Sequence, residues 1–497
     1  MKKAGTSVTN RADEILSLSA LRWPTHTAVI DQHGSFSYRQ LEKASELVAQ
    51  MLLEVGVVRG SVIGIALVDA KDFLAALFGV LKVGCVVIPV APNLSQSEQQ
   101  RVISETHVSW LVSTPRDTER HYPTSVMLYE RTTIAVSATG SASPNSILET
   151  FPDAAVIRHT SGTTAKSKGV VLSHSAVCQR TQASQALIGV THNDTVLLPL
   201  QLSYHFIASA LSCLEAGATI VDCAQLVAPE IIECGVRHRA TVIYASPMQY
   251  DLISRCASGS FTDLRRAIST SALLPKRTAD AFFSRFSCRL TQVYGIIEVG
   301  LPLWNELESI DPTALGICKP PYEAIVVGDD GLPVPTGNIG ELAIRGPGLF
   351  SGYLLGYDTG TPRAASRCLL AGEWFLTGDL VMQDELGVVL YRGRKKSVIN
   401  CGGNKVFPEE IEEVLQQSPD IHAVRVVSEP HALLGNTLIA EIVVDPQISL
   451  LPQQGPNQIV ERWRALCFSE LSEYKVPQEF RIVDSLPVTG SGKIIRH

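Results

Sequence analysis

His159-Thr160-Ser161-Gly162-Thr163-Thr164-Ala165-Lys166-Ser167-Lys168-Gly169 crowds hydroxyls, two glycines and two lysines between two apolar runs. Ala154-Ala155-Val156-Ile157 before it reads as a buried strand, and Val170-Val171-Leu172 after it as a second. Glycine lets backbone N–H groups approach an anion, hydroxyls donate to it, and lysines supply charge, so the loop has the chemistry of a polyphosphate cradle. A solvated polar hairpin has the same composition. No Gly-x-x-x-x-Gly-Lys-Ser/Thr spacing fits, which excludes a Walker A loop.

At 497 residues the chain exceeds a single compact core and predicts two or more domains. A hydrophobic content of 45% with 18% charged residues is that of a core-rich globular protein. The formal net charge of −7 gives no electrostatic case for nucleic acid. Eleven scattered cysteines form no Cys-x-x-Cys pair and no zinc-spaced cluster, and they read as reduced thiols. The basic start, Met1-Lys2-Lys3, lacks the apolar core of a signal peptide. The most apolar run, Phe73 to Val90, carries Gly79, Lys82 and Gly84 and predicts helix, turn and buried strand rather than a membrane span. The expectation is a cytoplasmic protein without an integral membrane segment.

Buried strands alternate with helices: Val62-Ile63-Gly64-Ile65, Val86-Val87-Ile88-Pro89, Trp110-Leu111-Val112 and Thr241-Val242-Ile243-Tyr244. This is the rhythm of layered α/β structure around mostly parallel sheets. Tyr322 to Ile344 is rich in Gly, Pro and Val and reads as a small antiparallel β unit. After Arg392 the texture changes to helix, strands, helix and a Gly-containing end. The expected fold class is α/β: a large N-terminal domain of layered α/β subdomains plus a small β unit (1–393), a hinge at 394–397, and a small mobile α+β C-terminal domain (398–497).

Four further motifs carry chemistry. Tyr294-Gly295-Ile296-Ile297-Glu298 sets a carboxylate just past a predicted strand, where it suits Mg²⁺. Trp374-Phe375-Leu376-Thr377-Gly378-Asp379 predicts a carboxylate on a tight turn after an aromatic strand, able to accept two ribose hydroxyls. Gly393-Arg394-Lys395-Lys396-Ser397 is a basic turn at the predicted boundary, followed by Gly402-Gly403. Near the end, Pro487-Val488-Thr489-Gly490-Ser491-Gly492-Lys493-Ile494 flanks one lysine with glycines.

Together with the loop at 160, these motifs resemble the adenylate-forming superfamily of acyl-CoA synthetases, luciferases and peptide-synthetase adenylation domains, closest to free-standing acyl-CoA synthetases. The resemblance runs from Tyr38 to Arg496. It implies that Thr160, Ser161, Gly162, Thr163, Thr164 and Lys168 bind ATP phosphates, with Thr163 joining Glu298 on Mg²⁺. It also implies that Ser271, Ala272, Tyr294 and Gly295 border the nucleotide, that Asp379 and Arg394 hold the ribose, and that Gly402 and Gly403 pass the pantetheine arm of coenzyme A. Lys493 is implied as the catalytic cation bridging the attacking carboxylate and the α-phosphate, where it stabilises transition-state charge.

The sequence departs from the family pattern at Ala165, Ser167, Ile297, Ser397 and Asn400. Ile297 stands in place of a threonine, and one hydrogen bond to a charged group is worth about 1.5–3 kcal/mol. The implied reaction is AMP-forming activation of a small-molecule carboxylic acid, then transfer to coenzyme A; an acyl or peptidyl carrier protein is the alternative thiol, and a weakly active homologue the alternative outcome. The expected acyl pocket, from Tyr204-His205-Phe206, Ser269 to Leu274 and Ile296-Ile297, is apolar and without Lys or Arg. With no Lys or Arg to pair with a second carboxylate, it predicts a medium or long fatty acid, or an aryl acid, over malonate or an amino acid. A homodimer is left open.

Overall fold

The computed structural model describes residues 10–495 except 93, 116–123, 130–131, 141–146, 161–167, 307–310, 359–360, 366–368, 371, 402–403, 432–434, 446–455 and 489–493. The chain forms two compact units. The larger takes in most of the first 323 residues and Ile344–Phe375; the smaller takes in Ala324–Ala343 and Leu376–His497. The expected hinge, 394–397, lies inside the smaller unit.

The larger unit holds two sheets. In the first, the strands Thr27–Asp31, Thr219–Asp222, Thr195–Leu198, Val242–Ala245, Arg266–Ser269 and Leu290–Ile296 run parallel in that order. Antiparallel neighbours extend it, Gly34–Ser37 at one side and Gly300–Asn305 then Gly316–Cys318 at the other. In the second, Trp110–Ser113, Val62–Ala66, Val86–Pro89 and Ala154–Thr160 run parallel. Lys168–Ser173 pairs antiparallel with Ala154–Thr160 and passes the sheet on to Gly352–Asp358. These short, β-branched strands are buried on both faces, which explains their unbroken apolar runs.

The apolar run at 73–90 is a helix, Ala70–Lys82, and a fully buried strand, Val86–Pro89. Its glycine has a packing cause: a Cβ on Gly79 would come within 2.7 Å of Val48 in the helix Tyr38–Glu54, so glycine lets the two helices close up. Among the described residues no helix is long and apolar enough to cross a membrane. The described cysteines are all free.

Glu323–Val327, Ile339–Arg345, Trp374–Gln383 and Val388–Arg394 are successive strands of one sheet, of which the Gly/Pro/Val texture of Tyr322 to Ile344 foreshadowed the first two. From Ile399 onward a separate core forms. The helices Pro408–Leu415 and Pro456–Glu470 and the strands Ile421–His431, Gly435–Val444 and Glu479–Ile482 bury Ile411, Leu415, Val426, Leu438, Trp463 and Cys467 together. The architecture is the expected one of layered α/β structure with a smaller α+β part.

One expectation is corrected. Asp379 does not sit on a tight turn; it lies inside the ten-residue strand Trp374–Gln383. Gly378, at φ +75°, supplies a local kink that only glycine adopts freely, and the strand continues beyond it.

Candidate functional site

The strands Ala154–Thr160 and Lys168–Ser173 bracket the hydroxyl-rich loop as an antiparallel pair, with His159 opposite Gly169 and Thr160 opposite Lys168. Thr160 and Lys168 are placed as backbone at the two loop ends. Ser161, Gly162, Thr163 and Thr164 lie outside the described residues, as do Gly402, Gly403 and Lys493. An antiparallel bridge between Val488 and Ile494 flanks the lysine, and Arg425 donates to the carbonyl of Ile495.

Tyr294 and Gly295 end the strand Leu290–Ile296, which turns back antiparallel into Gly300–Asn305. A Cβ on Gly295 would meet Leu301 Cδ2 at 2.4 Å and Gly300 O at 2.5 Å, so the tight hairpin itself demands this glycine. Glu298 rides on that turn, half-buried. Its Oε1 accepts from the Tyr353 hydroxyl at 3.0 Å. Its backbone is fixed by Arg180, a buried residue of the helix His174–Ile188. Arg180 donates to the carbonyls of Ile297, Glu298 and Gly348. The departure Ile297 therefore still contributes its carbonyl to the clamp.

Glu298 Oε2 takes no hydrogen bond from a described residue. A half-buried carboxylate with one uncommitted oxygen fits Mg²⁺, which takes one or two protein carboxylates and completes its shell with phosphates and water. Among the described residues no cluster of three or more His, Cys, Asp or Glu offers an all-protein cage.

Asp379 is 1% exposed. It stands directly across the sheet from Arg394, whose Nε lies 2.6 Å from Oδ1, an ion pair in which the N–H is not aimed at the oxygen. The neighbouring residues are pinned in place. Thr377 Oγ1 donates to Leu342 O at 2.9 Å and accepts from the Asp379 N–H at 3.1 Å. Glu341 accepts from the Gly378 N–H at 3.0 Å and from Lys395 Nζ, also at 3.0 Å. The Glu341 and Asp329 carboxylates hold the Lys395 ammonium above its ordinary pKa. The Glu341 carboxylate, on the strand Ile339–Arg345, thus orients the kink before Asp379.

On the acyl side, the helix Leu202–His205 runs into a π turn, Ile207–Leu211. His205 Nε2 lies 3.4 Å from Ser271 Oγ. Ser271 sits at φ +78°, a left-handed conformation that favours glycine. Ala272 beside it is exposed and Ile296 half-buried. Phe206 has no exposed surface and packs edge-on against Phe73 at 5.6 Å.

The expectation that no Lys or Arg borders this region is overturned. Arg158, in the strand Ala154–Thr160, is 6% exposed; its Nη2 donates to the Tyr204 carbonyl at 2.6 Å, and its guanidinium carbon lies 5.7 Å from the centre of the Phe206 ring. The signal for it was a single charge within the apolar run Ala154-Ala155-Val156-Ile157-Arg158.

Comparison with known proteins places these features in context. Residues 16–354 match the family of AMP-binding enzymes, and residues 410–493 match the AMP-binding enzyme C-terminal domain. The chain is 29% identical to an indoleacetate–CoA ligase of Aromatoleum aromaticum, over 95% of this chain and 94% of that protein. It is 27% identical to a medium-chain fatty-acid–CoA ligase of Escherichia coli, over 96% and 87%. The fold superposes on a benzoate CoA ligase from Burkholderia xenovorans with a TM-score of 0.80 at 23% identity, over 98% of each chain.

Proposed function

Because this chain belongs to the AMP-binding family of adenylate-forming enzymes, we propose that it is an ATP-dependent, AMP-forming acid–thiol ligase that makes acyl-CoA from a carboxylic acid with a fatty or aryl body. In the first half-reaction a carboxylate oxygen attacks the α-phosphorus of ATP, the bond to the β-phosphate oxygen breaks, and pyrophosphate leaves. In the second, the thiolate of coenzyme A attacks the acyl carbon, the bond to the phosphate oxygen breaks, and AMP leaves. By the family resemblance Mg²⁺ would be held by Glu298 with Thr163 and would supply neutralisation of triphosphate charge when bound.

The observation that carries this reading is the buried Asp379 carboxylate facing Arg394, fixed by the Thr377 and Glu341 hydrogen bonds. A desolvated, immobile acceptor with a guanidinium beside it suits a pair of vicinal hydroxyls. By the family resemblance Lys493 would serve as the cation of the first half-reaction, and Gly402 and Gly403 would pass the thiol arm. The names of the relatives, ligases that join indoleacetate or medium-chain fatty acids to CoA, support an aryl or alkyl acid.

A mass-spectrometric product screen with Mg·ATP and a panel of fatty and aryl acids, with and without CoA, tests the reading. Acyl-CoA appearing only with CoA supports it. Acyl-adenylate accumulating equally in both arms moves the acceptor to a carrier-protein thiol, and neither product defeats the ligase reading. In the same assay Lys493→Ala is expected to slow adenylation by about 10²-fold or more while sparing thioester formation from a supplied acyl-adenylate. Equal loss in both halves would remove Lys493 from its role.

A further inference from the structure

Three buried cations of the larger unit differ in how their charge is met. Lys71 is wholly buried, and its ammonium meets Asp72 at 3.0 Å, Asp31 at 3.3 Å and Asp69 at 3.7 Å. Arg180 spreads its guanidinium over the carbonyls of Ile297, Glu298 and Gly348. Among the described residues Arg158 has one hydrogen bond, to the Tyr204 carbonyl, although a guanidinium carries five N–H donors. No carboxylate of a described residue pairs with it. Besides burial, the electrostatic influences on it are the Tyr204 hydroxyl first and the like charge of Arg180 second.

Burial pushes the Arg158 guanidinium down to about 10, so it stays cationic at neutral pH. Holding an unpaired cation away from water costs several kcal/mol unless an anion compensates it. The strand does not require this charge, since Val156 and Ile157 beside it are fully buried aliphatics. The place also matters. Arg158 stands two residues before Thr160, where the strand enters the phosphate loop, and it touches the helix whose Tyr204 and His205 are half-exposed.

Resting on the ligase reading, we propose that Arg158 receives a second carboxylate of the acid substrate, so that the enzyme selects acids with an apolar body and a carboxylate at each end. One carboxylate is activated at the phosphate end. The other pairs with the free N–H groups of Arg158, whose planar fork suits a two-point contact with a carboxylate. The Phe206 ring and the Tyr204 carbonyl keep the fork in place before substrate arrives, so little order is lost on binding.

The test uses the full chain with Mg·ATP and CoA, comparing adipate, suberate and terephthalate with their monomethyl esters. Each diacid is expected to exceed its ester in kcat/KM by about 10- to 100-fold, the range of one charge-assisted hydrogen bond. Arg158→Gln is expected to erase that gap by raising KM for the diacid while leaving KM for ATP within about 2-fold, since the lost contact is to one substrate. An ester used as well as its diacid by the wild type overturns the inference and leaves the ligase reading standing. So does an Arg158→Gln variant whose KM rises for ATP instead, which would assign the guanidinium to a nucleotide phosphate. Should the variant fail to fold, the wild-type comparison of diacid with ester decides alone. Absence of pyrophosphate release with every acid, diacids and monoacids alike, defeats the ligase reading and this inference with it.

Discussion

Two carboxylates, Glu298 and Asp379, stand at the ends of motifs that look alike in sequence, and the fold treats them oppositely. Glu298 is half-buried on a hairpin turn; Arg180 grips its backbone, and one of its carboxylate oxygens takes no hydrogen bond from a described residue. Asp379 is buried within a strand and surrounded by fixed donors and acceptors. A group that must follow a metal and a departing pyrophosphate needs a firm base and a free end. A group that must recognise a rigid sugar gains from being immobile throughout, because the ordering is completed during folding.

The largest effect expected from breaking this contrast is at Asp379. Asp379→Asn removes the charge from two hydrogen bonds of about 1.5–3 kcal/mol each, so kcat/KM for ATP falls by about 10²-fold or more. Titration with Mg²⁺ checks the distinction: its half-saturation is expected to stay unchanged, and a large shift there would merge the two sites into one. Next comes Arg180→Met, which removes one donor from each of three carbonyls, of which that of Glu298 keeps the Phe350 N–H, and is expected to lower stability by about 2–3 kcal/mol in urea unfolding. Here the Mg²⁺ dependence should weaken, because the Glu298 turn loses its grip; unaltered Mg²⁺ dependence in the folded variant would make Arg180 purely structural.

Glu341→Gln keeps an acceptor for the Gly378 N–H but loses the charge facing Lys395. An ion pair with a half-exposed lysine is worth about 1 kcal/mol or less, so KM for ATP should rise about 2- to 5-fold. The Glu341 effect vanishing in an Asp379→Asn background would show that it acts through the kink. The smallest effect is expected at Ile297→Thr. Its carbonyl already serves Arg180, so only a side-chain hydroxyl is added, and adenylation should quicken by a few-fold at most. An unchanged pre-steady-state adenylation rate would mean that the hydroxyl finds no phosphate.

Much of the fold was legible because its elements are long or uniformly apolar. The helix Ala70–Lys82, the strand Val86–Pro89 and the arms around the loop at 160 follow from runs of hydrophobic residues and the glycines that end them. The misplacement of Asp379 on a turn has an instructive cause. Thr377-Gly378-Asp379 has the composition of a turn, but Val388–Arg394 pairs across it and the strand runs on through one left-handed glycine.

The supporting groups were not legible. Arg180 reaches partners 117, 118 and 168 residues away, Glu341 one 37 residues away, and Arg158 one 46 residues away. Local pattern carries no record of such meetings. Composition and periodicity were enough for layered α/β architecture, which depends on short-range geometry, whereas the adenylating chemistry followed from the resemblance of the ordered motifs to a known family. Which buried cations meet carboxylates and which carboxylates are fixed by hydrogen bonds were settled only by packing, since desolvation and ion pairing depend on neighbours that folding brings together from distant parts of the chain.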